Sequence, residues 1–201
     1  MKKLVITLIA VTGLAVSTVA QGTITIDNLN GAGGNTATDH GLFFDSAGAV
    51  YTGPNINIQV LGGLAAGSLS EIATLMGANA LFYSTVPGVY LDPTFATYNV
   101  PNSTGAGTAV LQVLAWTGTA SSFASAATDE QFWAWDGNAY VNPTSFTFQN
   151  AMGGPQAGLP DAPPASLDGM PAMQLALIPE PSIIALAGLG LASLLAFRRR
   201  N

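Results

Sequence analysis

Two tryptophans lie two positions apart in the chain, next to an acid and an amide. Trp133 and Trp135 flank Ala134, and Asp136 and Asn138 follow closely. Because alternate residues of a strand point to the same face and each residue advances the strand by ~3.3 Å, the two indoles would lie about 6.6 Å apart on one face. Flat apolar rings with hydrogen-bonding groups at their edge are suited to stacking against sugar rings. These four polar and aromatic residues are therefore a candidate carbohydrate-binding site, and the alternative is that both indoles belong to the apolar core.

The residue types needed for most other catalytic chemistry are scarce. The chain has no Cys and one histidine, His40, which follows Asp39 in a loop rich in Gly, Asn and Thr. The chain therefore has no thiol nucleophile and no Gly-x-Ser-x-Gly elbow to present a serine nucleophile. One histidine together with carboxylates alone does not favour a zinc site. We therefore predict that the protein is not an enzyme and needs no cofactor or metal.

Two hypotheses about the acids stay open. A glycoside hydrolase needs two carboxylates that flank the sugar, and Asp129, Glu130 and Asp136 lie near aromatic residues. A calcium ion is held by oxygen ligands, and residues 27–31 (Asp-Asn-Leu-Asn-Gly) are rich in them. Because residues 27–31 do not fit the Asp-x-Asp-x-Asp-Gly pattern, we prefer to interpret them as an Asx-rich turn.

The distribution of charge excludes one class of partner. All five basic residues lie at the two ends of the chain, whereas residues 4–197 hold all eleven acids and no Lys or Arg. Contacts to phosphate require cations, so we expect no binding to nucleic acid. A surface rich in Ser, Thr, Asn, Gln and Gly is suited to polar contacts with hydrated polysaccharide or with other proteins.

The N-terminus has the three parts of an export signal. Lys2 and Lys3 precede an apolar run from Leu4 to Val16, and Ala20 ends a small-x-small cleavage pattern. Residues 1–20 are therefore predicted to be a signal peptide that signal peptidase removes, with an uncleaved membrane anchor as the alternative.

The C-terminus carries a second pattern directed at a membrane. Residues 182–197 are uncharged, and as a helix they would be about 24 Å long, somewhat short of a ~30 Å hydrocarbon core. Basic residues after this span can reach the headgroups and keep that end of the chain on the cytoplasmic side. These basic residues are Arg198, Arg199 and Arg200.

A proline pair precedes the apolar span. Pro179 and Pro181 flank Glu180 and hold the segment extended, so a protease at the membrane surface would meet an accessible peptide. The order of this motif, an apolar span and an arginine tail over residues 179–201 resembles the PEP-CTERM sorting signal of bacterial surface proteins.

The resemblance implies how the chain is handled. Pro179, Glu180 and Pro181 would be the processing motif, and an exosortase-type membrane protease would recognise the segment and cut close to it. The C-terminal helix would anchor the protein transiently in the inner membrane, with Arg198, Arg199 and Arg200 as its stop-transfer signal. The processed protein would reach the cell surface or the extracellular matrix. The resemblance also implies an association with exopolysaccharide and biofilm.

Residues 21–178, between the two signals, have the pattern of an all-β body. Short runs with period-two alternation are bounded by Gly, Pro, Asn and Ser, so about ten short strands are expected. In the clearest run Ile56, Ile58 and Val60 should point inward. Residues 42–51 are expected to form a hairpin. Together these features predict an antiparallel β-sandwich.

Two segments depart from the strand pattern. Ser68 and Glu71 have the spacing of a capping box, and apolar residues follow at helical intervals, so one short helix is predicted over 69–77. Residues 153–171 contain five prolines among glycines and are predicted to be a surface loop.

We therefore predict an exported cell-surface or extracellular-matrix protein with a structural or adhesive role linked to exopolysaccharide or biofilm. Its expected partners are signal peptidase, an exosortase-type protease, and exopolysaccharide or other matrix proteins. One alternative is a carbohydrate-binding module that uses the aromatic pair, and a second is a secreted glycan hydrolase.

Overall fold

A computed structural model of the chain describes residues 21–28, 41–53, 56–76 and 87–176. The predicted signal peptide, His40, the Pro-Glu-Pro motif, the apolar span and the arginine tail lie outside these residues. Among the described residues, no helix is both long enough and apolar enough to span a bilayer.

The described residues form strands and short 3-10 turns. The strands are β1 (Thr23–Thr25), β2 (Phe43–Phe44), β3 (Asn57–Gly63), β4 (Ser70–Leu75), β5 (Thr97–Asn99), β6 (Gly107–Trp116), β7 (Phe132–Trp135), β8 (Tyr140–Val141), β9 (Phe148–Met152), β10 (Gly154–Gln156), β11 (Leu159–Ala162) and β12 (Met173–Leu175). The 3-10 turns are Ala66–Ser68, Phe123–Ser125, Thr128–Glu130 and Pro143–Ser145. The all-β prediction is confirmed for this part of the chain.

Eight of the twelve described strands belong to two four-stranded sheets. The back sheet has the order β4-β3-β6-β9, and every neighbouring pair in it is antiparallel. The front sheet has the order β2-β12-β7-β8. Two antiparallel pairs, β1-β5 and β10-β11, complete the described strands.

Both sheets contribute side chains to one buried cluster. Ile58 and Val60 of the back sheet and Phe43, Phe132 and Met173 of the front sheet all belong to it. The Phe132 ring meets the Phe43 ring edge-on, at a centroid distance of 5.1 Å. The two sheets therefore bury their inner faces against each other, as two packed layers do.

The predicted inward residues and hairpin are confirmed. Ile56, Ile58 and Val60 are fully buried. In residues 42–51 the Asp45 N–H donates to Ala49 O, and the Asp45 carboxylate accepts from the backbone N–H groups of Ala47 and Ala49. An aspartate that bonds the backbone of its own turn fixes a tight connection between two strands.

The front sheet is not wholly antiparallel, which corrects the prediction of an antiparallel sandwich. β2 and β12 run parallel, with Met173 opposite Phe43 and Gln174 opposite Phe44. Hairpin signals constrain only strands that follow one another in the chain. Because β2 and β12 lie near opposite ends of the body, their relative direction is set by the packing of the whole sheet.

The prediction of a helix over 69–77 is wrong. β4 (Ser70–Leu75) pairs antiparallel with β3 in this segment, and Leu75 lies opposite Ile58. The Gln59 amide also donates to the Glu71 carboxylate at 2.7 Å. A short isolated helix is marginal in water, whereas the edge of the back sheet offers backbone partners and a core for the apolar side chains.

Residues 153–171 are not entirely a loop, which corrects a second prediction. β10 and β11 form a small antiparallel pair there, with Gly154 opposite Ala162 and Gln156 opposite Leu159. Pro160 lies within β11, where the pair has an open edge, and a proline is tolerated in an edge strand because its missing N–H faces away from the partner.

Candidate functional site

β7 places the two tryptophans on the outer face of the front sheet. Phe132 and Ala134 point into the core and are buried, while Trp133 and Trp135 alternate with them and are partly buried. The indoles therefore share one face, and neither belongs to the core cluster between the sheets. Full enclosure of both rings would have excluded a binding platform, and the alternation of β7 does not enclose them.

Trp135 is partly covered by its neighbours. It packs against a small buried cluster formed by Leu42, Phe44, Val89 and Ala172. Its ring also contacts the Tyr140 ring, with centroids 5.1 Å apart and planes tilted by 59°. The main contribution of Trp135 is to close the apolar layer on the outside of the front sheet.

Asp136 and Asn138 lie in the turn between β7 and β8. The Asp136 carboxylate accepts from the backbone N–H groups of Asn138 and Ala139, both at 2.8 Å. These bonds hold the pKa of Asp136 below its usual range. Gly137 has φ +102° and permits the turn. Both side chains are exposed, and Asp136 stabilises the hairpin.

A groove of about 290 Å³ lies beside Trp133. The described residues that line it are Trp133, Tyr140, Gln174, Leu175 and Ala176. Gln174 of β12 is the direct cross-strand partner of Trp133, and Tyr140 of β8 is the partner of Trp135. Of the four residues proposed from the sequence, only Trp133 lines the groove.

Two polar groups of the groove residues are notable. The Gln174 amide nitrogen donates to Asp45 O at 3.1 Å, which orients the side chain. The Trp133 Nε1–H is buried and has no hydrogen-bond acceptor among the residues that the structure describes. An unsatisfied buried donor is uncommon in a folded protein.

None of the described lining residues is charged, and burial raises the pKa of Tyr140.

Sequence reasoning missed Gln174 and Tyr140. Tyr140 could have been found, because a tight turn at Asp136 and Gly137 brings it back across from Trp135. Gln174 is joined to Trp133 only through the pairing of β7 with β12. No local pattern predicts that pairing.

The segment considered for calcium has a structural role at Asn28. The Asn28 amide nitrogen donates to Gly41 O and to Gly88 O, and its oxygen accepts from the Tyr90 N–H at 2.6 Å. The side chain is buried and joins separate loops. Its partners lie 13 to 62 positions away in the chain, so the described bonds of Asn28 are not those of a local Asx turn. Residues 29–31 lie outside the described part, and the turn interpretation stays a prediction. Among the described residues, no group of three or more His, Cys, Asp or Glu could hold a metal ion.

The acids considered for glycan hydrolysis are not brought to the groove. Asp129 and Glu130 lie in the 3-10 turn Thr128–Glu130, where Asp129 is exposed and Glu130 partly buried. The Asp136 carboxylate is engaged in its own turn. None of the three lines the groove beside Trp133.

Asp92 forms a second buried polar centre that the sequence did not indicate. Its carboxylate accepts from the Thr94 N–H, the Thr94 hydroxyl, the Ala96 N–H and the Tyr98 hydroxyl. Burial acts to raise the pKa of Asp92, but these hydrogen bonds outweigh it and hold the pKa below the usual range. Burial and the bond to Asp92 raise the pKa of Tyr98 to about 12. The bonds shape a loop that presents Phe95, 70% exposed, with φ +51°.

Comparison with known proteins identifies the C-terminal segment. Residues 177–200 match a family model described as the PEP-CTERM protein-sorting motif. This confirms the resemblance drawn from the prolines, the apolar span and the arginines. No curated protein matches the chain, and no solved structure matches it.

Proposed function

Because the chain carries a PEP-CTERM protein-sorting motif at residues 177–200, we propose that it is an exported protein processed near Pro179-Glu180-Pro181 by an exosortase-type protease. Its body then acts at the cell surface or in the extracellular matrix as a structural or adhesive component, without catalysing a reaction. The matched motif is the single observation that carries this proposal.

The place of the motif relative to the fold supports processing. The described body ends at residue 176, directly after β12 (Met173–Leu175). β12 lies inside the front sheet, with β2 on one side and β7 on the other. A cut at the Pro-Glu-Pro leaves β12 in place and therefore releases an intact front sheet.

The composition of the body supports a non-catalytic surface role. Residues 4–197 contain eleven acids and no Lys or Arg, so the body has no such cation for an anionic partner. Contacts to a neutral partner depend on uncharged polar groups and exposed apolar side chains. Two of the exposed apolar side chains are Phe95 and Leu159, which are 70% and 65% exposed. Such a surface is suited to lateral contacts with neutral polymers or proteins.

The test is to express the full chain in a host with and without an exosortase-type protease. With the protease, we expect a shorter chain released from the membrane fraction. A Pro179→Ala, Glu180→Ala, Pro181→Ala variant should keep its full length and stay with the membrane. Pro160→Ala, a proline in β11 outside the motif, is the matched control and should be processed normally. Normal release of the triple variant would contradict the proposal.

A second candidate function is carbohydrate binding. The observation that favours it is the position of Trp133, which is partly buried on the outer face of the front sheet and lines a groove with Tyr140 and Gln174. A protein that adheres to a polysaccharide matrix needs such a contact point. No described feature favours the glycan hydrolase in the same way.

A further inference from the structure

We propose that the groove lined by Trp133, Tyr140, Gln174, Leu175 and Ala176 binds one uncharged sugar residue of a glycan. This inference rests on the proposed adhesive function and names the ligand class and the residues of its site. It replaces Trp135, Asp136 and Asn138 of the sequence-based site by Tyr140 and Gln174.

The size of the groove limits the ligand. Its volume is about 290 Å³, at the lower end of the range of small-molecule pockets. One ring of a glycan can be seated in a space of this size while the rest of the polymer lies over the surface. The Trp133 indole supplies a flat apolar wall.

The polar groups of the groove match hydroxyl groups. The Gln174 amide is held in one orientation by its bond from Nε2 to Asp45 O, and its oxygen Oε1 has no hydrogen bond to the described residues. That oxygen can accept from a sugar hydroxyl. The Trp133 Nε1–H is buried and has no acceptor among the described residues, so the indole would meet a sugar through its ring and not through this nitrogen.

Charge selects an uncharged ligand. The described groove residues carry no charge, and the surrounding body has acids but no Lys or Arg. A uronic acid, a sulfated sugar or a phosphorylated sugar would meet repulsion and no compensating cation. A second copy of the chain would bring the same acidic surface, so charge also disfavours pairing of two copies through this groove.

The experiment titrates the full chain, purified in detergent, with neutral hexasaccharides of glucose, mannose and galactose. A galacturonic acid hexasaccharide serves as the anionic counterpart. Isothermal titration calorimetry measures affinity, and tryptophan fluorescence reports on the indoles. We expect saturable binding of at least one neutral oligosaccharide and none of the anionic one.

Variants then locate the site. Trp133→Ala should weaken binding about tenfold, the change expected from loss of one stacking contact, and Trp133→Phe should keep part of the affinity. Gln174→Met, which removes the amide and keeps the length, should also weaken binding. Asn138→Ala and Phe95→Ala, at exposed positions outside the groove, should bind as the parent does.

Several outcomes would overturn the inference. They are no binding of any neutral hexasaccharide, tighter binding of the anionic one, or parental affinity in both Trp133→Ala and Gln174→Met. Loss of binding in Asn138→Ala alone would place the binding site at the turn between β7 and β8 instead of the groove. Concentration-dependent dimerisation that Trp133→Ala abolishes, without glycan binding, would assign the groove to a second copy. Processing at the Pro-Glu-Pro motif is measured separately, so failure here is distinguishable from failure of the proposed export.

Discussion

The outer faces of the two four-stranded sheets each carry a tryptophan near the end of a strand, and the two side chains differ in what covers them. Trp116 of β6 is fully buried, its Nε1 donates to Ala120 O at 2.8 Å, and its ring meets the Phe123 ring at 6.5 Å. Trp133 of β7 is only partly buried and lines a groove, and its Nε1–H has no acceptor in the described part of the chain.

The difference arises from the chain that follows each strand. After β6 the chain folds back over the sheet, and Phe123 and Ala126 join Leu114 and Trp116 in a buried cluster. After β7 a tight turn leads directly into β8, and Tyr140 of β8 lines the groove together with Trp133. The same residue type on the same kind of strand thus becomes a core residue in one sheet and a groove wall in the other.

Removing the covered ring should have the largest effect. Trp116→Ala is expected to lower the free energy of unfolding by about 3–5 kcal/mol, because it opens a cavity and leaves Ala120 O without its donor. Urea unfolding followed by circular dichroism measures this change. Trp133→Ala should lower the free energy of unfolding much less. Equal decreases in the two variants would show that the two tryptophans do not differ in burial as described.

The covered carboxylate of Asp92 should make stability depend on pH. Its pKa is lower in the folded chain than in the unfolded one, so its contribution is full above the unfolded pKa of about 3.9 and is lost as pH falls through the folded pKa. Asp92→Asn should lower the free energy of unfolding by about 1–3 kcal/mol near neutral pH.

Comparing the parent with Asp92→Asn isolates Asp92 from the other acids. Urea unfolding is measured at pH 7, 5 and 3, because aspartate titrates at about pH 4. The difference in the free energy of unfolding between the two proteins should shrink as pH falls. A difference that stays constant would show that the loop does not depend on the charge of Asp92.

Replacing each indole by a phenyl ring should change the free energy of unfolding differently at the two sites. Trp116→Phe removes a donor that Ala120 O uses and should destabilise the protein by about 1–2 kcal/mol. Trp133→Phe removes a buried donor for which the described residues supply no acceptor, and it should be neutral or stabilising by up to about 1 kcal/mol. Thermal melts of the two variants beside the parent measure both, and a clear loss in Trp133→Phe would count against an unsatisfied Nε1–H.

The smallest effect is expected at an uncovered apolar residue. Phe95 is 70% exposed and has φ +51°, a backbone conformation that is unfavourable for a bulky side chain. Phe95→Gly removes this strain, and because little packing is lost, we expect stabilisation of about 1 kcal/mol or less after the added flexibility of the unfolded chain. A lower melting temperature would indicate that Phe95 packs more than its exposure implies.

Local patterns predicted part of the fold. Alternation placed Ile56, Ile58 and Val60 inward, and the turn at Asp45 predicted the hairpin over 42–51. The capping-box spacing at Ser68 failed, because the same residues also fit an edge strand, and the free edge of β3 supplies backbone partners that a helix in solution does not have. Likewise, the pairing of β10 with β11 depends on a register that a run of prolines does not indicate.

The candidate site divides in the same way. Trp133 and Trp135 were placed on one face by the period of a strand, since that period is a property of the backbone alone. Asp136 and Asn138 were included because they are close in sequence, and the turn that makes them close also engages the Asp136 carboxylate. Gln174 enters the groove only because β12 pairs with β7.

By itself, the sequence determined the sorting motif at residues 177–200, the segregation of the basic residues to the chain ends, and the strand character of the body. These are properties of short, contiguous runs of residues, and their physical causes act locally. Only the tertiary structure decided that β2 runs parallel to β12, that residues 70–75 form a strand, and that Trp116 is covered while Trp133 lines a groove. Each of these depends on contacts between residues far apart in the chain, whose free energies appear only when the sheets assemble.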